Sequence, residues 1–439
     1  TVSALAARVE QESGRGGRVP LEARQRPVRV PLSLAQQRMW FLNRFDPEST
    51  AYNIPFALRL TGELDVAALQ SAVDDLVARH ESLRTEYPET GDGPAQKILP
   101  ASQMTVDLTP VDIAAGELET RLRQIAATTF DVTTEVPVLM QLLRVGPDRS
   151  APARQDDEHV LAVVVHHISA DGSSMVPLVR DLVAAYASHT SGTEPMWAPL
   201  QVQYADYALW QREVLGSEGD PESIAAQQLG YWRYALADLP DQLDLPLDRP
   251  RPAQQSFRGE RIEFVVGADV HAGLRDLARS HNATVFMAVH AAFAALLARL
   301  SGTSDIAVGT PIAGRNEQAV EDIIGMFVNT LVLRLEVDAG ASFTDLLAAA
   351  RETDLQAFAH ADVPFERLVE VLNPARSTAR HPLFQVGFSF QNQAGTELQL
   401  PGLAVAPLDL EGGTAQFDLH LIVADRYDDE AHPPASTRS

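Results

Sequence analysis

The feature that most constrains this chain is an unbroken apolar run at residues 160–165, Val-Leu-Ala-Val-Val-Val, that passes directly into His-His-Ile-Ser-Ala-Asp-Gly. A mostly β-branched run without polar alternation is the pattern of a strand covered on both faces, so it predicts a strand deep in a sheet. Gly172 is expected to supply backbone freedom for a sharp turn, and Ser173 or Ser174 to cap a helix. Met175, Val179, Leu182, Val183 and Tyr186 then recur at helical spacing. Neighbouring strand residues point to opposite faces, so one of His166 and His167 is expected to face inward and the other a cleft, and a metal pair is not expected. His167 and Asp171 form the only His-x-x-x-Asp in the chain. A turn between them leaves two uses for the carboxylate: it stays near the imidazole, or it locks onto a nearby cation.

A chain of 439 residues exceeds one ordinary core, so two domains of roughly 200 residues each are expected. Lys plus Arg number 35 against 59 Asp plus Glu, a formal net charge of −24, which repels nucleic acid and anionic membranes. There is no cysteine, which removes disulfides, thiol catalysis and cysteine-held metals. With no signal-like segment and no 18-residue apolar span, the expectation is a soluble cytoplasmic protein.

Along the chain, residues 1–10 form a short amphipathic helix, and the polar, Gly- and Arg-rich residues 11–27 form a linker. Globular sequence begins at Val28. Ser33 caps a helix carrying Met39, Trp40 and Leu42, which alone looks like an edge helix. A strand at 54–60 and a helix with Val66, Leu69, Val73, Leu76 and Val77 inward lead to Arg79-His80-Glu81, charges that ordinarily answer a helix dipole or solvate a surface. A helix at 117–127, a strand at 138–145 and a polar loop at 146–158 precede the central strand. The aromatics of Tyr204-Ala-Asp-Tyr-Ala-Leu-Trp start another helix, and residues 239–257, with Arg249-Pro-Arg-Pro at their centre, mark the crossing between halves. The second half repeats the grammar: strand 262–266, helix 269–279, helix 285–300 capped by Thr284, strands 305–309 and 329–337, helix 343–358, a further helix from 363, and strand 382–390. Two similar α/β lobes are expected.

No Gly-x-Ser-x-Gly elbow, dinucleotide glycine fingerprint or phosphate-binding Gly-Lys-Ser/Thr loop occurs, so serine hydrolysis, hydride transfer and phosphoryl transfer recede. An imidazole at a strand mouth beside a glycine N–H suits acyl transfer.

Taken together, these residues resemble a condensation domain of a nonribosomal peptide synthetase, in the chloramphenicol acetyltransferase-like superfamily. The resemblance rests on motifs in order over nearly all the globular sequence: Ser-Leu-Ala-Gln-Gln-Arg-Met-Trp from Ser33, Arg-His-Glu-Ser-Leu-Arg-Thr from Arg79, and His-His-Ile-Ser-Ala-Asp-Gly from His166. Tyr-Ala-Asp-Tyr from Tyr204, Gly-Thr-Pro-Ile-Ala-Gly-Arg from Gly309, Ile-Gly-Met-Phe-Val-Asn-Thr from Ile324, Asp-Val-Pro-Phe-Glu from Asp362 and His-Pro-Leu-Phe-Gln from His381 follow. It implies an α/β (α+β) fold of two lobes, 28–200 and 257–439, joined by connecting helices and a linker at 201–256. The lobes are expected to form a V with a central tunnel and His167 in the cleft. Residues 1–10 resemble the last helix of an upstream carrier domain.

The implied reaction is peptide-bond formation between an acyl or peptidyl thioester on an upstream carrier and the amine of an aminoacyl thioester on a downstream one, with an adenylation domain adjacent. His167 takes a proton from the attacking nitrogen or holds it in place, Gly172 offers its N–H to the oxyanion, and Asp171 pairs with Arg315 in a structural role alongside His166. Phosphopantetheine comes with the carriers; no covalent cofactor, cofactor-binding residue or metal ligand is implied. The family often carries an aromatic where this chain has Ser173, which implies a wider pocket. It also usually continues past Phe417-Asp-Leu through another strand and a helix, whereas residues 428–439 here are polar. Alternatives are an epimerisation domain of the same superfamily, a free-standing acyl-CoA-dependent acyltransferase and a docking module without turnover. A heterocyclisation domain would carry aspartates in place of the histidines.

Overall fold

The computed structural model describes residues 19–146, 158–375, 377–391, 399–400, 402–408 and 415–425. The helix expected at 1–10 lies outside them. The chain separates into two compact units, and their boundaries are not sequential. The first takes in the described residues up to Gly216, Ala313–Val328 and the described part of 396–410; the second holds the rest.

In the first unit a six-stranded sheet runs in the order Gln399–Leu400, Leu403–Leu408, Asn53–Gly62, Glu158–His166, Val138–Gly146, Val111–Ala114. The strand that contains the 160–165 run is central, antiparallel to Asn53–Gly62 on one side and to Val138–Gly146 on the other, and buried along its whole length. Side-chain alternation divides it between two cores. Leu161, Val163 and Val165 pack with helices Val66–Arg79 and Met175–Thr190; Val160, Ala162 and Val164 pack with helices Leu34–Phe45, Leu118–Ala126 and Tyr204–Leu215. Both faces are covered, so polar alternation would have had no solvent to meet.

The second unit is built on a four-stranded sheet in the order Asn329–Glu336, Asp305–Ile312, Val386–Gln391, Leu419–Ala424. Its first pair is antiparallel and the others parallel. Helices Ile224–Ala235, Val285–Ser301, Phe343–Ala359 and Phe365–Leu372 supply its core. Thr284 caps Val285–Ser301 in a reciprocal capping box with Met287.

Several expectations need correcting. Residues 262–266 form no strand: Ile262 is 85% and Val265 87% exposed, because β-branched composition makes a ladder only where a neighbouring strand supplies partners. The crossing between units falls at 216–217 rather than within 239–257, and the expected connecting region is divided: helix Tyr204–Leu215 belongs to the first unit and helix Ile224–Ala235 to the second. Leu243, inside the expected crossing, is buried in the second core. Residues 313–328, assigned by sequence order to the C-terminal lobe, pack in the first unit because Val320, Ile323, Met326 and Phe327 join its core.

The described part of the expected linker is also fastened down. Leu21 is buried, Trp210 Nε1 donates to the Val19 carbonyl, and Arg24 pairs with Glu213. Arg26 grips Asp206 with both ends of its guanidinium at 2.8 Å and donates to Glu81 at 2.6 Å. Asp206 is 2% exposed, and beside a hydrogen bond from the Gln203 N–H at 2.9 Å this grip offsets the burial of its carboxylate. Arg26→Ala strands a buried carboxylate and is expected to lower unfolding stability by about 3 kcal/mol. Arg24→Ala, at an exposed pair, should cost less than about 1 kcal/mol. Urea unfolding of the two variants side by side checks this; equal losses would contradict it.

Candidate active site

The central strand ends at His166, and the chain turns through 167–171 into a short 3-10 turn at Gly172–Ser174 before helix Met175–Thr190 begins. His166 is 2% exposed. Its N–H donates to the Pro137 carbonyl and its Nδ1 accepts from the Ile168 N–H at 3.1 Å. Burial, reinforced by the adjacent His167, holds its imidazole down at about 3, so it stays neutral. His167, the next residue, is only partly covered. Its N–H donates to the Tyr52 carbonyl at 2.8 Å, and its Nδ1 is buried without a hydrogen-bond partner among the described residues. Burial pushes this imidazole below the ordinary histidine range, against the charge of Asp171 and the Ala170 carbonyl, which favour the protonated ring.

Asp171 does not orient the His167 ring. Its side chain is turned away into a buried cage: Oδ1 accepts from the Ser174 N–H and lies 2.8 Å from Ser174 Oγ, and Oδ2 accepts from the Phe327 and Val328 N–H groups at 2.8 and 3.0 Å. Arg315 Nη2 reaches Oδ1 at 3.3 Å and Ser174 Oγ at 2.9 Å, and its guanidinium lies 4.3 Å over the Phe327 ring. Of the two uses left open for the carboxylate, the structure takes the second. Two glycines make the cage possible. At Gly314, with φ +65°, an added Cβ would sit 1.9 Å from the Phe327 carbonyl, and at Gly325 it would sit 2.0 Å from the Tyr204 ring.

Asp171 caps the 3-10 turn, with Ser174 reciprocating; Ser174 stands at the N-cap position of helix Met175–Thr190, as expected, but its side chain makes no capping bond to that helix. Gly172 has no positive φ, so the turn does not require a glycine there. It is exposed, and an added Cβ would meet nothing within 4 Å among the described residues. Open space at position 172, not backbone freedom, is what the glycine provides.

Sequence patterns missed a second layer. Ser33 and Gln36 form the expected cap as a reciprocal box, but Gln36 is also buried and its Nε2 donates to the Ile168 carbonyl at 3.0 Å, so the supposed edge helix braces the histidine turn. Tyr87 OH reaches the same carbonyl at 3.2 Å. Tyr204 joins Ser33 Oγ, at 2.8 Å, to the Met326 carbonyl, at 2.7 Å. His80, expected at a helix end as a surface charge, is 1% exposed, with Nε2 2.9 Å from Asp181, which Arg79 also contacts at 2.8 Å. The Ser-x-x-Gln spacing of a capping box is visible in sequence; that its Gln meets a residue 132 positions away is not.

A family model described as Condensation domain matches residues 28–430. The chain is 48% identical over 435 residues to a probable non-canonical nonribosomal peptide synthetase, CymA, of Salinispora arenicola, and 47% identical over 405 residues to a dimodular nonribosomal peptide synthase of Bacillus subtilis. These alignments cover 99% and 92% of this chain but only 5% and 17% of those synthetases. Among solved structures it is similar to the X-domain from teicoplanin biosynthesis, with a TM-score of 0.85 at 35% identity over 94% of this chain and 90% of that one. Amide formation by acyl transfer is the reaction class of this family, and a partly accessible imidazole on a braced turn, with open space at Gly172 five residues on, is compatible with it. The chain belongs to the condensation-domain family.

Proposed function

We propose that this domain joins a donor acyl or peptidyl thioester, brought by an upstream carrier, to the amine of an aminoacyl thioester on a downstream carrier, within a larger synthetase that also holds an adenylation domain. The phosphopantetheine arms belong to the carriers and arrive as part of the substrates. The observation that carries this reading is the pairing of a neutral, partly accessible His167 with open space at Gly172. The acceptor nitrogen attacks the donor carbonyl, a C–N bond forms, and the C–S bond breaks as the thiolate leaves. His167 holds the attacking nitrogen and takes the proton it loses, which then returns to the departing sulfur; the Gly172 N–H faces the developing oxyanion. No acyl-enzyme intermediate is needed, because the thioester is already activated.

Magnitudes support positioning as the larger effect. Holding two reactants in attacking geometry is worth about 7 kcal/mol or more of barrier, whereas a general base contributes about 10²-fold, or about 3 kcal/mol. Ser169 and Ser173 flank the motif, but Ser169 is fully buried against Tyr87, which leaves it unsuited to acylation.

With donor- and acceptor-loaded carriers supplied and the product weighed by intact-protein mass spectrometry, His167→Ala is expected to lower the rate about 10²-fold with the melting curve retained. A rate within twofold of wild type would contradict the role. Because burial lowers the His167 value, its neutral form persists into mild acid. The wild-type rate should therefore rise with pH through an inflection below about 6.5 that His167→Ala lacks. A shared profile in both proteins would count against it. Gly172→Ala should change stability by less than about 0.5 kcal/mol, since the added methyl meets no atom of the described residues within 4 Å, yet slow product formation at least ~10-fold by occupying substrate space. Unimpaired turnover would place the thioester elsewhere.

A further inference from the structure

Among the described residues no side chain aims the His167 imidazole. In dyads and triads a carboxylate takes the Nδ1–H and fixes the ring, but here, among the described residues, Nδ1 is buried without a hydrogen-bond partner, Asp171 is engaged by Ser174, Arg315, Phe327 and Val328, and what favours the protonated ring is the Asp171 charge and the Ala170 carbonyl of the same turn. The ring direction must come from the main chain that carries it. On the N-terminal side the His167 N–H is tied to the Tyr52 carbonyl at 2.8 Å. On the C-terminal side everything converges on Ile168 and Ser169. The Ile168 carbonyl accepts from Gln36 Nε2 at 3.0 Å and from Tyr87 OH at 3.2 Å, and Ser169 Oγ lies 3.0 Å from the same phenol oxygen.

Tyr87 is itself immobilised. It is fully buried, its N–H donates to the Val132 carbonyl at 2.8 Å, and its carbonyl accepts from Trp40 Nε1 at 2.8 Å. Burial raises its phenol well above the ordinary tyrosine range, although Ser169 and Gln36 oppose this, so the hydroxyl keeps its proton and remains a donor. Most buried tyrosine hydroxyls merely satisfy themselves. This one differs in its acceptor, the carbonyl of the residue that follows the histidine.

We infer that Tyr87 is a positioning residue for the reaction: together with Gln36 it clamps the Ile168 carbonyl and thereby sets the direction of the His167 ring. This rests on the proposed role of His167. Loss of the phenol oxygen frees one side of the carbonyl and lets the turn shift, and a displacement near 1 Å at a reacting group costs about 10²-fold in the limit.

The test uses Tyr87→Phe, which removes only the oxygen, and Tyr186→Phe as control. Tyr186 is equally buried and its hydroxyl accepts from the Asp65 N–H at 3.2 Å, so it loses a comparable hydrogen bond away from the histidine turn. Two readouts are taken on each protein: kcat and KM with loaded carriers, and the His167 imidazole resonances through a pH titration, assigned with His167→Gln. Tyr87→Phe is expected to lower kcat about 10-fold with KM for the acceptor carrier within twofold. The loosened turn should also admit water, moving the His167 titration upward toward the ordinary histidine value. Tyr186→Phe should lose similar thermal stability with both readouts unchanged. An unmoved His167 titration in Tyr87→Phe, or a kcat loss no larger than that of the control, overturns the inference. If His167→Ala retains full activity while Tyr87→Phe still moves the imidazole resonances, the role of His167 in the reaction fails and the clamp on its ring stands.

Discussion

One buried carboxylate, that of Asp171, holds together segments of the first unit that lie far apart in the chain. An ionised carboxylate taken out of water is tolerated only when its lone pairs are filled, and here backbone N–H groups from Phe327 and Val328, the N–H and hydroxyl of Ser174, and the Arg315 guanidinium fill them. The carboxylate thus ties the turn after the central strand to the 313–328 segment. That segment returns to the first unit after the chain has already built three helices and a strand of the second. Removing a partner from such a cage leaves the full desolvation cost uncompensated, which explains why Gly314 and Gly325 sit where any side chain would push the donors apart.

The consequence for chemistry is that the carboxylate is spent on architecture. His167 is left without a side chain to aim it and with a depressed proton affinity, a combination poor for a strong base and adequate for holding an amine and passing on one proton. A thioester asks for little more. The protein invests instead in rigidity: the histidine turn is braced from the Leu34–Phe45 helix by Gln36, by Tyr87, and through the strand pair by the Tyr52 carbonyl. A second brace runs from Ser33 through Tyr204 to the Met326 carbonyl and so to the donors of Asp171. Buried polar chains of this kind are costly when half satisfied and rigid when complete.

The sequence by itself determined what depends on short-range pattern. The apolar 160–165 run could only be a strand covered on both faces, and the Ser33 and Thr284 caps marked their helices, whereas the alternation expected to separate His166 from His167 stops at His166, where the strand ends. The ordered motifs carried the family, and Arg315 as the partner of Asp171 came with that resemblance, not from spacing. Tertiary structure alone decided the rest. It chose between the two uses of the Asp171 carboxylate, drew residues 313–328 into the first unit, buried His80 beside Asp181, left 262–266 without a ladder, and set Gln36 and Tyr87 on the Ile168 carbonyl. The physical reason is common to all of these. Periodicity, caps and turns are energies between residues a few positions apart. Strand pairing and the filling of a buried acceptor are energies between distant segments, and they take a value only once the fold has brought both sides together.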